Sequence, residues 1–399
     1  MANEWLISVI LRLVRTKTRV KQKINITACL NNLDELRGLY SVWGVDYDVV
    51  IECMPPIISI FLSLSMYLNG IFNMNKIKDV LLFTKHNCNY YMNQPENIIL
   101  KYYEIQGRKI MLYYSSYVYM TLLIYLLLPT IPVVIDVIIP SNHSQERNFL
   151  YKLDYGVDSQ QYFYYISIHS YVGTAVVANL IVACDTTYML YSQHAYALFA
   201  IVCYQLKTVH ILDTGNLINL KNSYLLEKYK NIELLPEEQK AVCTKLFNCI
   251  KEHQNAIESV FLTYSNVLES LFTKSILSQL FCNITCLSIT GVETVMKVGN
   301  VGDMIRFGLF TFAQAVHIFF ICLPGQRLVN HSEQVYAAAC EVMWYTLPKK
   351  CHSLYKFLLA RSSKSSKITA YKVAPMTMET FLAIIQTAMS YFTVLLSTT

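Results

Sequence analysis

Six uncharged, predominantly apolar runs punctuate the chain: Cys53–Met74, Ile110–Ile135, Gln160–Cys184, Ser275–Val292, Phe307–Gln326 and Phe381–Thr399. Each reaches the roughly 17–25 residues a helix needs to cross hydrocarbon, and backbone groups in lipid must bond within their own segment, so these runs predict membrane helices. From Gln160 to Leu206 the only carboxylate is Asp185. As one helix that stretch would be ~70 Å long against a ~30 Å hydrocarbon core. The pattern therefore predicts a helix that crosses by about Asp185 and then projects beyond the bilayer, with Tyr188–Leu206 packed against protein. Ala241–Leu271 repeats apolar residues (Val242, Leu246, Ile250, Ile257, Phe261, Tyr264, Leu268, Leu271) at helical spacings and runs into Ser275 without a breaker. Glu333–Tyr345 adds a third amphipathic segment. These three elements predict a helical layer beside the membrane that contacts neighbouring subunits.

Composition agrees with this pattern. Hydrophobic residues make up 54% of the 399 and charged residues 15%, with mean hydropathy +0.33, whereas a soluble domain carries about 25% charged residues. The basic residues fix an orientation. The loop after the first run carries Lys76, Lys78, Lys85, Lys101, Arg108 and Lys109; the connections 207–274 and 327–374 are similarly rich. The two remaining loops hold only Arg147 with Lys152, and Lys297 with Arg306. Basic loops face the cytoplasm, which puts the C-terminus outside. Residues 1–49 are also basic, with Arg12, Arg15, Lys17, Arg19, Lys21, Lys23 and Arg37, so the N-terminus belongs inside as well. Six spans cannot satisfy both ends. Either a weak span lies in residues 1–49 or the usual first span is missing; no cleavable signal peptide is evident.

Catalytic and metal motifs are absent: no phosphate loop, zinc-protease motif, nucleophile elbow or paired-cysteine motif occurs. The twelve cysteines form no framework, since neither outer loop contains one. Cys282 and Cys286 lie in an apolar run without a His or carboxylate near enough to complete a metal site. Of the sequons at Asn25, Asn142, Asn283 and Asn330, only Asn142 falls in an outer loop and can accept a glycan. His169, inside a span, reads either as a proton relay or as a neutral side chain bonded to neighbours such as Tyr165. Asp185 is expected to pair with a basic loop residue. Tyrosines cluster over 113–125 and 162–171, and Tyr117, Thr121 and Tyr125 recur on one helical face. An apolar cavity lined by aromatics with few polar groups suits a small volatile ligand.

The C-terminal third carries a resemblance. Phe319-Phe320-Ile321-Cys322, Gly325, Ser332, Tyr336-Ala337-Ala338, Trp344, Pro348, Arg361-Ser362, Lys367-Ile368-Thr369-Ala370 and Ser390-Tyr391-Phe392-Thr393-Val394-Leu395 resemble the insect odorant receptors. Supporting patches include Glu104, Gly107-Arg108, Pro140-Ser141-Asn142, Arg147, Val157-Asp158, Asp185 and His194. The resemblance covers residues 50–399. It implies an all-α seven-transmembrane bundle of inverted topology, with the first span weak or missing here, and a cytoplasmic helical anchor layer. It implies an odorant-gated cation-channel subunit in a hetero-tetramer with the odorant receptor co-receptor, in the plasma membrane of olfactory sensory neurons. Membrane lipid is its medium and a small volatile molecule its ligand; no cofactor, metal, enzyme activity or nucleic acid is implied.

On this layout residues 1–49 are an atypical cytoplasmic segment and 50–206 carry spans that include the pocket helices. Residues 207–274 are a cytoplasmic loop and helix extension, and 275–326 are spans. Residues 327–374 form the anchor helix and hinge, and 375–399 the pore-lining helix. The family's pocket maps onto Ile58, Phe61, Leu62, Ser65, Tyr117, Thr121, Tyr125, Ile168, Tyr171, Val172, Ile289 and Phe310. Its gate maps onto Val394, with Thr398 one turn beyond, and helical geometry extends that stripe to Thr387 and Tyr391. Two alternatives remain. A G-protein-coupled seven-helix receptor would show the opposite orientation and usually an outer-loop disulfide. A gustatory receptor-like channel would carry a terminal Gln-Phe motif that Ser390–Leu395 lacks.

Overall fold

The structure is a computed structural model that describes residues 47–72, 74–130, 149–150, 161–209, 236–261, 273–297, 299, 301–342, 344–347, 349–370 and 374–398. Nine α-helices carry the described fold: α1 (Tyr47–Phe72), α2 (Met74–Tyr91), α3 (Asn97–Leu127), α4 (Phe163–Lys207), α5 (Pro236–Phe261), α6 (Thr273–Met296), α7 (Val301–Glu341), α8 (His352–Ser362) and α9 (Met378–Thr398). A two-residue antiparallel ribbon, Thr369–Ala370 with Ala374–Pro375, precedes α9. Residues 1–46, where a weak first span is one reading, and Asn142 lie outside the described residues.

Among the described residues, four helices are long and apolar enough to cross a membrane: α3, α4, α7 and, within α9, Met378–Ser397. The expected runs in α1 and α6 do form helices but fall short of that measure. The apolar stretch of α1 is only Met54–Met66, and α6 carries buried Gln279, Asn283, Ser288, Thr290 and Glu293. A helix surrounded by protein can hold polar groups that a lipid-facing helix cannot. The lipid-type faces are elsewhere, at exposed Phe72, Leu112, Tyr113, Tyr165 and Phe312.

The long-helix expectation holds. α4 runs unbroken for 45 residues, and every residue from Tyr191 to Phe199 is buried, so its lower half is enclosed on all sides. α7 is likewise one helix of 41 residues that passes through Pro324 and absorbs most of the segment expected to begin separately at Glu333. α5 closes over α4, with Val242, Leu246 and Ala256 fully buried against it. Burial of side chains as large as Phe199 and Leu246 stabilises the layer by about 2–3 kcal/mol each.

Polar ties fix the register of this layer. Tyr91 of α2 donates to the Glu252 carboxylate of α5, and Asn87 meets His194 at 3.3 Å. The Tyr103 hydroxyl and His331 are 2.8 Å apart, joining α3 to α7. Cys243 of α5 and Cys351 ahead of α8 lie side by side with Cα atoms 5.7 Å apart. A juxtaposition across 108 residues leaves no spacing pattern in the sequence, which is why the cysteine positions alone do not bring the two together.

His253 of α5 is 4% exposed and stacks toward Phe199. Burial, reinforced by the Arg361 charge from α8, holds its pKa down at about 4. The unfolded chain, at about 6.5, binds the proton first as pH falls, so this contribution is complete above about pH 6.5 and is lost as pH drops toward 4. By pH 5 the loss reaches about 2 kcal/mol. Melting temperatures measured between pH 7 and 5 should fall less steeply for His253→Leu than for the wild type. Parallel slopes would show that His253 does not titrate on unfolding.

A candidate ligand cavity and its polar floor

α1, α3, α4, α6 and α7 enclose a cavity of about 220 Å³. A water molecule takes about 10–15 Å³ of such space, so the cavity holds a molecule of on the order of fifteen to twenty heavy atoms. Because α3 and α6 run one way and α4 and α7 the other, each helix contributes residues at graded depths. At one end lie Tyr125 and Phe310, with ring centroids 6.3 Å apart, and the Arg306 side chain, 3.8 Å from Asp303 and over the Phe307 ring. The middle is walled by Ile60, Leu62, Val118, Val177 and Ala313. At the other end are Tyr114, Gln279, Asn283, Gln314 and His317.

The floor rests on one carboxylate. Asp185 Oδ2 accepts from the Tyr114 hydroxyl and lies 2.9 Å from His317 Nε2. This overturns the expected pairing of Asp185 with a basic loop residue. Asp185 is 5% exposed and sits at the middle of α4, far from either loop, so its partners come from the facing helices α3 and α7. Tyr114 itself is fully buried and stacks on Phe320 at 5.1 Å. One acidic oxygen thus ties three helices together directly beneath the cavity.

Of the twelve positions assigned to a pocket from the sequence, Leu62, Tyr117, Thr121, Tyr125 and Phe310 line this cavity. Ile58, Ser65, Tyr171 and Ile289 are half-buried on the same helices without lining it. Phe61, Ile168 and Val172 are more than half exposed and point out of the bundle. His169 is half-buried and does not line the cavity. Asn283, Gln314 and His317 also line the cavity and are not among those twelve. Their signal was present as polar residues at helical spacing within the runs Ser275–Val292 and Phe307–Gln326, where Gln279 and Asn283 are one turn apart and so are Gln314 and His317.

α9 stands against α6, outside the cavity. Ile384 and Ala388 are buried, Ser288 Oγ lies 3.3 Å from the Ala388 carbonyl, and a Cβ added at Gly291 would come within 3.2 Å of the Phe392 ring. Thr387, Tyr391 and Val394 are exposed, roughly a quarter turn away at 100° per residue. The side chain of Thr398 lies outside the described set.

A family model described as 7tm Odorant receptor matches residues 52–389. Odorant receptor 13a of Drosophila melanogaster is 23% identical over 292 residues, which is 69% of this chain and 63% of that protein. Odorant receptor 63a of the same organism is 21% identical over 165 residues, 41% of this chain and 38% of that one. The chain thus spans less than two thirds of the length of these curated relatives. The solved structure of olfactory receptor OR5 from Machilis hrabei in complex with eugenol superposes with TM-score 0.72 at 12% identity, covering 96% of this chain and 90% of that one. A second OR5 structure gives TM-score 0.65. The family match over residues 52–389 settles membership: this chain belongs to the seven-transmembrane odorant receptor family.

Proposed function

We propose that this receptor is an odorant-gated, non-selective cation-channel subunit that works in a hetero-tetramer with the odorant receptor co-receptor. The family is one of receptors and not of enzymes. The observation that carries the reading is the shared wall. α6 presents Asn283 to the cavity and, one to two turns on, Ser288 and Gly291 to α9. A ligand that binds one arrangement of α6 better than another therefore biases α9 as well, and only such differential binding shifts a gate. The likeness to OR5 in complex with eugenol supports a small organic ligand.

In this reading the stripe Thr387, Tyr391, Val394 and Thr398 lines the pore, with Val394 as an apolar ring that blocks ions by dewetting. The N-terminus is cytoplasmic, the C-terminus and any glycan at Asn142 are outside, and the receptor sits in the plasma membrane of olfactory sensory neurons. The lower halves of α4 and α7 with α5 and α8 form the cytoplasmic anchor between subunits.

Val394→Ala widens such a ring and is expected to change conductance or cation selectivity in cells that also express the co-receptor. Recordings against a panel of volatiles give the measurement. Unchanged currents remove Val394 from the gate, and currents that require GTP overturn the channel reading in favour of a G-protein-coupled receptor.

A further inference from the structure

Two amides in the cavity wall carry polar atoms that have no partner within the protein. Asn283 of α6 is 1% exposed, and neither its Oδ1 nor its Nδ2 makes a hydrogen bond. The Oε1 of Gln314 in α7 is likewise buried and unpaired. Both residues line the cavity. Buried polar atoms are nearly always satisfied, and leaving one unmade is costly. Two such amides facing one cavity from different helices, with the unpaired Tyr117 hydroxyl of α3 a third polar atom in the same wall, therefore point to a molecule that completes them.

Their placement restricts what that molecule is. Thr311 of α7 donates to Thr290 of α6 at 2.8 Å, which sets the two antiparallel helices level at that point. Asn283 lies seven residues from Thr290 and Gln314 three from Thr311, so the two amides are offset by roughly 6 Å along the axis. Gln314 Oε1 and Asn283 Oδ1 each need a donor, and Asn283 Nδ2 needs an acceptor. A hydroxyl supplies both. A ketone, ester or aldehyde only accepts, an ammonium only donates, and a hydrocarbon does neither. A carboxylate only accepts and would lie close to Asp185. The opposite end, walled by Tyr125 and Phe310, suits an apolar body.

We propose that this cavity selects a neutral alcohol or phenol, held with its hydroxyl between Asn283 and Gln314 and its hydrocarbon body toward Tyr125 and Phe310. The proposal rests on the reading of the cavity as the ligand site.

The full chain in lipid nanodiscs is melted against homologous alcohols, methyl ketones and alkanes from butyl to decyl, with phenylethyl alcohol, acetophenone and ethylbenzene as aromatic counterparts. Wild type is expected to be stabilised by the best alcohol at a concentration about tenfold lower than its ketone and alkane counterparts, the size of one well-made hydrogen bond. In Asn283→Leu and in Gln314→Leu that preference should shrink to about twofold or less, with alkane binding kept or tightened. Ligand-free melting temperatures should hold or rise, because each change removes an unpaired polar atom. Ketones or alkanes binding as tightly as alcohols to wild type would overturn the hydroxyl assignment while leaving the cavity reading intact. So would variants that keep the full alcohol preference. If no compound of any class shifts the wild-type melting temperature, the cavity reading fails and this assignment fails with it.

Discussion

Gly325→Ala is expected to lower the melting temperature of the solubilised receptor by at least about 5 °C, corresponding to a loss of about 3 kcal/mol or more. A Cβ at Gly325 would overlap the Met376 carbonyl oxygen and lie 3.0 Å from its carbonyl carbon. The obstacle is backbone, so no rotamer change relieves it. Met376 is buried, and its N–H donates to the Ile368 carbonyl at 2.8 Å. The path of this segment is held by that bond and by two clips to α7: Ser366 N–H to Ser332 Oγ at 2.8 Å and Met378 N–H to Gln326 Oε1 at 3.2 Å. The chain between Ser366 and Met378 is thereby anchored along α7 at both ends and delivered to the start of α9. An added methyl lifts this clasp, so α9 is expected to lose its seating on α6 along with the stability. Gly299→Ala is the matched control, since nothing lies within 4 Å of its would-be Cβ, and it should leave the melting temperature unchanged. Equal melting of Gly325→Ala and wild type would show that α7 and the clasp are not in contact.

Asp185→Ala is expected to cost about 2–4 kcal/mol, since it strands the buried Tyr114 hydroxyl and the half-buried His317 ring at once. The Tyr114 hydroxyl and His317 Nε2 both converge on Asp185 Oδ2, and Tyr114, being fully buried, has no water to turn to. Replacing the whole cluster removes the unmet polar groups along with the bonds. The triple variant Asp185→Leu, His317→Leu, Tyr114→Phe should therefore recover most of the loss. Thermal melts of the single and triple variants test this. A triple variant no more stable than Asp185→Ala would mean that the polar contacts, and not the stranded groups, dominate the floor of the cavity.

Much of this architecture is legible without coordinates. The length of α4 follows from an apolar pattern with one carboxylate in 45 residues, because a helix longer than the bilayer must be enclosed by protein past its exit point. The C-terminal motif residues are legible as a pattern, but their physical reason is tertiary. Gly325 and Ser332 sit in that motif because the backbone at Met376 and Ser366 lies against them. The pocket was half legible. Tyr117, Thr121 and Tyr125 stand out by their shared face, and that face does line the cavity. On α1 and α4, where both sides of each helix are apolar, periodicity cannot tell the inward face from the lipid face, so Phe61, Ile168 and Val172 read as pocket positions although they are exposed.

A helical membrane chain, its long projecting helices and its family are legible from the residue order, because the demand for internal backbone bonding in lipid and the length of each apolar run are local properties. Which polar residues meet depends on the folded arrangement of the helices. Asp185 found His317 and Tyr114, 132 and 71 residues away, and Asn283 and Gln314 came to share one cavity without sharing a bond. Both outcomes depend on how each helix is rotated about its axis. That rotation is set by side-chain packing between helices distant in the chain, and where a helix is apolar on every side its own sequence does not specify it.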